Sequence, residues 1–472
     1  MILNTKELGS VKRMRRPLRK YQKQMLRYCL STDYPALFVQ MRLGKTLVTI
    51  RSCKIRGNRK ILVVAPYSAL YGWLLELLEE NYNQDSIVEL FGTSECRRNL
   101  LAEKYGDAQW FLFNKEGHRI FPEIADYHFD CVIIDESTFI KSPARKSKIT
   151  KQDNATKFFC DNFREAENRY ILTGTPAPES ELEYYSQLQF LDHLIWREKN
   201  FWEFRHKNFA MINYTPFLSP NGSKYLSNVL AKNCFFLTRY ECKVGGKKIY
   251  QKRKIVLADK FRKIYEKIEK EFVLEYLNQE QETIYATTKY VWLRRLCGGF
   301  IDQEFVSYAK IKEVESLLKN ELKKEQVIII AKHINEVKKL TKYLSKDFSV
   351  GMVYGAVSKK KRPEIYQAFQ DGNLDLIVAQ AGCISHGTNL SASDTVIFYT
   401  TPDGGETREQ VEDRVVNTAK NDSSLIIDLI FENTVEEDVI GNLRRKEGRQ
   451  ALMRRIVKRL SKKYEVKNAV SK

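Results

Sequence analysis

Long apolar runs are missing from this sequence: no stretch approaches the roughly 20 residues that would span a bilayer. Three apolar residues at the start give way at once to polar and charged ones, unlike a secretory leader. No membrane association is therefore expected. The nine cysteines are scattered, odd in number and without a Cys-x-x-Cys pair. Several sit in apolar surroundings, as Cys131 does before Val132 and Ile133. That suits buried thiols in a reducing, cytoplasmic compartment rather than a disulfide frame. The six histidines share no ligand spacing with them, so zinc is not expected. Acid is also short: 59 Asp and Glu against 79 Lys and Arg leave a net charge of +20. Such an excess makes a polyanion, above all nucleic acid, the leading partner.

What is present suits packed domains. Hydrophobic residues make up 43% of the 472 positions and aromatics 12%, too many for a disordered chain and too long for one core. Short β-branched runs alternate with amphipathic stretches twice over. The first set is 36–40, 60–65, 110–113, 131–135 and 170–173; the second is 326–331, 349–354, 374–379, 395–399 and 425–429. Unbroken apolar runs of this length predict strands buried on both faces. The fold class expected is α/β, two tandem doubly wound parallel-sheet lobes. Lobe 1 is placed at 1–180, a helical, basic and aromatic insertion at 181–310, lobe 2 at 311–440 and a basic tail at 441–472. Phe190, Trp196, Phe201, Trp202, Phe204 and Phe209 of the insertion suit a small core better than a stacking platform for bases. In the tail, Leu452, Ile456, Leu460 and Tyr464 recur every fourth position. They predict an amphipathic helix whose stripe docks on the second sheet while its basic face meets phosphates. A solvated helix without a partner is the alternative.

The chemistry starts at a buried strand followed by Met41-Arg42-Leu43-Gly44-Lys45-Thr46 and then a helix. Such a loop points backbone N–H groups and a positive helix end at phosphates. Arg42, Leu43 and Gly44 would form the cradle. Lys45 would neutralise β- and γ-phosphates, and Thr46 would ligate Mg²⁺. The full Gly-rich pattern is broken, because Val39 stands at its first glycine and Arg42 at a later one. The strand 131–135 ends in Asp135-Glu136, two carboxylates that are costly at a strand tip unless a cation meets them. Asp135 would hold Mg²⁺, and Glu136 would activate the attacking water.

A third element, Tyr170-Ile171-Leu172-Thr173-Gly174-Thr175-Pro176, completes an order and spacing that resembles superfamily-two helicases of the Swi/Snf type. The resemblance runs from about Leu18 to Leu429. Leu18-Arg19-Lys20-Tyr21-Gln22 looks like the adenine-reading element, with Gln22 as its glutamine. Val63-Val64-Ala65-Pro66-Tyr67-Ser68 with Trp73 looks like the first strand-tracking element. The segment Asp135-Glu136-Ser137-Thr138 onwards is similar to that of compact phage and mobile-element members. In the second lobe, 327–332 looks like element four, and Gly387, Asn389 and Leu390 look like the core of element five. Gln410-Val411-Glu412-Asp413-Arg414 looks like the start of element six.

The resemblance implies that the two lobes are RecA-like, with ATP and Mg²⁺ as cofactors and ATP hydrolysis in a cleft between lobes. Arg414 would act there as an arginine finger, and Gln410 as a nucleotide sensor. Thr173, Gly174 and Thr175 would couple hydrolysis to movement. Ser68, Lys332, Gly387 and Asn389 would contact nucleic acid. The expected partner is DNA, duplex favoured and forked or branched DNA possible, gripped by a monomer with little sequence preference. Asn417 departs from the family, standing where a second arginine is expected; a working finger is worth roughly 10³–10⁵ in rate. The alternatives are an RNA-directed helicase or transcription-release ATPase, and a DNA-binding scaffold with weak ATPase.

Overall fold

The computed structural model describes residues 16–146, 153–178, 180–212, 215–244, 246–278, 284–301, 304–358, 361–384, 390–415, 423–445 and 449–465. Two compact units divide at Lys243/Val244.

The first unit is built on β1 (Ala36–Val39), β2 (Ile61–Ala65), β3 (Ile87–Leu90), β4 (Trp110–Asn114), β5 (Cys131–Asp135) and β6 (Asn168–Thr173). A hairpin, β7 (Phe209–Ile212) and β8 (Thr215–Leu218), follows before β9 (Cys234–Leu237). The sheet runs β3-β4-β2-β5-β6-β1-β9 with every pair parallel. β1, β2, β4, β5 and β6 are buried at every position, as helices on both faces require.

The second unit holds β10 (Lys248–Ile255), the short pair β11 (Phe300–Ile301) and β12 (Glu304–Phe305), then β13 (Val327–Ala331), β14 (Val350–Val353), β15 (Leu376–Gln380), β16 (Thr395–Phe398) and β17 (Ser424–Phe431). Its parallel sheet runs β10-β17-β16-β13-β15-β14. Both sheets agree with the α/β expectation, and all ten anticipated strands are found.

The insertion does not stand alone. Residues 181–243 belong to the first unit and 244–310 to the second. Each half adds an edge strand to a sheet: β9 beside β1, and β10 beside β17. Of the edge strand β9 only Cys234 joins the core and Phe236 stays exposed, while Phe190, Trp196, Phe204 and Phe209 pack into that core and Trp202 stays exposed. The tail differs too. Leu452, Met453, Ile456, Val457 and Leu460 of the helix Arg449–Lys463 are buried among Tyr265, Phe272, Val273 and Val439. That surface is made chiefly by the helices Asp259–Asn278 and Val435–Arg445 instead of by a sheet face. Arg459 pairs with Asp438 (2.8 Å) and Lys463 with Glu269 (2.8 Å), so part of the basic face is neutralised within the unit.

Candidate active site

In the first unit, β5, β6 and β1 are adjacent, and their C-terminal ends carry the candidate residues. Asp135 is level with Leu172, and Leu172 with Leu37; Thr173 stands one step further, level with Phe38. The chain leaves β1 through the loop at 40–44 and enters the helix Lys45–Arg56. Two left-handed residues, Arg42 (φ +65°) and Gly44 (φ +85°), bend this loop. Arg42 therefore takes up a conformation that costs an L residue roughly 1–2 kcal/mol. The side chain at this position does not prevent the turn.

Gln22, on the helix Lys20–Ser31, lies directly over that loop. Its Nε2 donates to the Leu43 carbonyl at 3.2 Å, and its Oε1 accepts the Arg19 amide at 2.9 Å. A Cβ on Gly44 would stand 2.3 Å from Gln22 Nε2, so glycine is required by close approach as well as by φ. Lys45 is buried and donates from Nζ to the Val39 carbonyl at 2.7 Å, which folds its ammonium back into the loop. Thr46 follows in the first helical turn, half-buried.

Asp135 and Glu136 are each 8% exposed. Asp135 is held at both oxygens: Trp73 Nε1 donates to Oδ2 (2.8 Å) and the Glu136 amide to Oδ1 (2.9 Å). Glu136 is left-handed (φ +51°), turning the chain sharply off the strand. Thr173 Oγ1 approaches Glu136 Oε2 at 3.5 Å and accepts the Thr175 amide at 3.2 Å. A Cβ on Gly174 would meet the Met41 amide nitrogen at 3.5 Å, so this turn lies on the phosphate loop. Gln22, Arg42, Leu43, Gly44, Lys45, Thr46, Asp135, Glu136, Thr173, Gly174 and Thr175 are thus gathered in one unit. The oxygen donors of Asp135 and Thr46 fit a hard divalent cation, and Lys45 at a helix N-terminus fits a phosphate.

In the second unit, Gln410 and Arg414 share the helix Gly405–Val415. Gln410 is buried and Arg414 half-buried. Arg408 fixes this helix by a two-pronged pair with Asp428 (2.6 and 3.0 Å) and a bond to Glu412 (2.8 Å). Glu412 also accepts from Lys248 (2.9 Å) and Tyr250 (2.8 Å) of β10. Burial pulls the Lys248 ammonium down, but Asp413 and Glu412 outweigh it and raise its pKa. Lys332 follows β13 and pairs with Asp403, whose other oxygen accepts Tyr290 at 3.0 Å. Burial raises the Asp403 carboxyl, yet Arg294 and Lys332 outweigh burial and hold it low. The Lys332 charge is therefore engaged inside its own unit.

Ser68 begins the second residue of the helix Tyr67–Glu79, but its side chain lies outside the described residues, as do Gly387, Asn389 and Asn417. Leu390 is buried. The sequence reading missed Gln187, which links Ser137 to Pro176, and the Arg408–Asp428 pair. An Arg four residues before Glu412 was an available signal, whereas Gln187 stands among Glu183, Ser186 and Gln189 with nothing in the sequence to single it out. Among the described residues no helix is long and apolar enough to cross a membrane, and no cluster of His, Cys, Asp and Glu could hold a metal ion by itself.

The SNF2-related domain matches residues 21–339, more than half of the chain, and the helicase conserved C-terminal domain matches 309–418. The chain is 23% identical over 471 residues to the human SWI/SNF-related matrix-associated actin-dependent regulator of chromatin subfamily A member 1, covering 90% of this chain and 42% of that protein. It is 23% identical over 445 residues to an uncharacterized ATP-dependent helicase of Mycoplasma pneumoniae, covering 89% and 41%. It spans less than half the length of these relatives. Among solved structures, the Pyrococcus furiosus Hef helicase domain superposes with a TM-score of 0.50 at 13% identity, over 90% of this chain and 98% of that one. That likeness concerns the fold.

Proposed function

This chain belongs to the SNF2-related family, and from that premise we propose that it is an ATP-driven motor that moves along DNA, duplex favoured, without sequence preference. The observation that carries this reading is the convergence of three turns at the ends of adjacent parallel strands. They are the phosphate loop with Lys45, the Asp135-Glu136 turn and the Thr173-Gly174-Thr175 turn. The net charge of +20 supports a polyanionic track.

Gln22 reads the base edge and braces the phosphate loop. Lys45 leaves the Val39 carbonyl for the phosphates, and loop amides bind their oxygens. When bound at Asp135 and Thr46, Mg²⁺ offsets phosphate charge. Glu136 takes the proton of the attacking water, its carboxylate steadied by Thr173. For Arg414 we infer the finger role, neutralising charge that develops on the transferred phosphoryl group, and for Gln410 the sensing of the nucleotide. Thr173 to Thr175 pass the loss of the γ-phosphate to the DNA-gripping elements, Ser68, Gly387 and Asn389 among them. Roles in replication, recombination, repair or remodelling are compatible with such a motor.

The test is steady-state ATP hydrolysis without polymer and with single-stranded DNA, duplex DNA or RNA, using Lys45→Ala as the blank. Stimulation by duplex DNA that vanishes in Lys45→Ala is expected. Stimulation by RNA alone would replace DNA with RNA as the track. Tight DNA binding with no stimulation would leave a scaffold in place of a motor.

A further inference from the structure

We propose that Trp73 is a positioning residue that sets the metal-binding carboxylate and ties it to the strand-tracking element. Trp73 is 1% exposed, so its N–H needs an acceptor inside the protein. That acceptor is Asp135 Oδ2 at 2.8 Å, while the Glu136 amide holds Oδ1 at 2.9 Å. With a donor on each oxygen, the carboxylate plane has one orientation. About four lone-pair directions exist on a carboxylate, so sites remain for a water-bound cation.

The choice of an indole has a physical reason. A lysine or arginine here would also donate, but its charge would cancel that of Asp135 and compete with the cation. A neutral N–H orients the carboxylate and leaves its charge intact, as outer partners of metal ligands do.

The indole also belongs to a second element. The helix Tyr67–Glu79 starts directly after β2 and Pro66, at the segment read as strand-tracking. Trp73 lies on the same helix six residues beyond Tyr67, roughly 9 Å along the axis at 1.5 Å per residue. A helix this short moves as a rod, so DNA engaged at its first turn shifts the indole against Asp135. This step rests on the motor reading above.

Trp73→Phe keeps a ring beside Trp110 and removes the donor; Trp73→His keeps a ring N–H. Fluorescent ADP is titrated with and without Mg²⁺, beside duplex-stimulated ATPase and thermal unfolding. Trp73→Phe is expected to need roughly 10–100-fold more Mg²⁺ for half-maximal effect, with Mg²⁺-free ADP binding unchanged and duplex stimulation reduced. Trp73→His is expected to fall between Phe and the native protein. An equal loss of ADP binding with and without Mg²⁺ would make Trp73 structural only and overturn the proposal, as would an unchanged Mg²⁺ requirement. A measurement independent of any variant uses the full chain with its five tryptophans replaced by 5-fluorotryptophan. One fluorine resonance should move with Mg²⁺ and ADP together and not with ADP alone; no movement would overturn the proposal. A native protein without DNA stimulation would sink the motor reading, and the Mg²⁺ titration would still decide the orienting role of Trp73.

Discussion

Gln187 accepts a hydrogen bond from the Ser137 hydroxyl at 2.6 Å and, with its own amide, donates to the Pro176 carbonyl at 2.6 Å. One buried side chain thus joins the turn after Glu136 to the turn after Thr175. The same amide donates to the Glu183 carbonyl at 2.9 Å, and Glu183 pairs with Lys141 at 2.8 Å. The helix Glu183–Leu191 therefore holds both turns of the candidate site. Gln187→Leu, similar in size, strands the Ser137 hydroxyl, at a cost of about 1–3 kcal/mol. Urea unfolding should show that loss. Adding Ser137→Ala should recover part of it, since the polar group left unpaired is then gone.

Gly44→Ala should weaken nucleotide binding as well as the fold. Its φ of +85° costs alanine roughly 1–2 kcal/mol. The new methyl also falls on Gln22 Nε2, forcing that side chain off the Leu43 carbonyl. Titration with fluorescent ADP should show at least a tenfold weaker complex, about 1.4 kcal/mol. Unchanged affinity would mean that Gln22 does not brace the loop.

Arg408→Ala leaves Asp428 and Glu412, 2% and 4% exposed, without their shared cation. Breaking a buried pair from one side costs about 3–5 kcal/mol. Chemical denaturation of the full chain should show it. ATP hydrolysis should fall as well, because the helix bearing Gln410 and Arg414 loses its anchor. Arg408→Lys should recover only part, as an ammonium cannot span both Asp428 oxygens.

His333 supplies a pH dependence. Burial, then Lys332, Arg294 and Arg295, lower its pKa to about 4, against the smaller pull of Asp403. The unfolded chain, with histidine near 6.5, binds the proton first as pH falls. Stability from this site is full above about pH 6.5 and is lost as pH drops toward 4, by at most about 1.4 kcal/mol per pH unit. His333→Gln should flatten that part of the curve of unfolding midpoint against pH. An unchanged slope would place the titration elsewhere.

The central strands could be read from the chain because they are buried on both faces. Val-Ile-Ile-Ile at 327–330 has no other economical place than the middle of a parallel sheet. The edge strands could not. Lys248-Ile249-Tyr250-Gln251-Lys252-Arg253-Lys254-Ile255 has the alternation and charge of an exposed segment, which is what a solvated sheet edge demands. Its membership of the second sheet, and with it the division of the insertion at Lys243/Val244, depends on pairing with β17, nearly 180 residues away in the chain.

The candidate site divides in the same way. Lys45, Thr46, Asp135 and Glu136 were candidates from the chain because phosphate and metal chemistry asks for those side chains at the tips of apolar strands, within short stretches of sequence, whereas Thr173 was a candidate only through the family resemblance. The partners that orient them, Trp73 on Asp135, Gln22 on the Leu43 carbonyl and Gln187 between two turns, meet across 62, 21 and 11 to 50 residues. No local pattern encodes such meetings. A hydrogen bond needs its atoms within about 3 Å, and only the packed sheet and its helices bring residues so far apart in the chain to that distance.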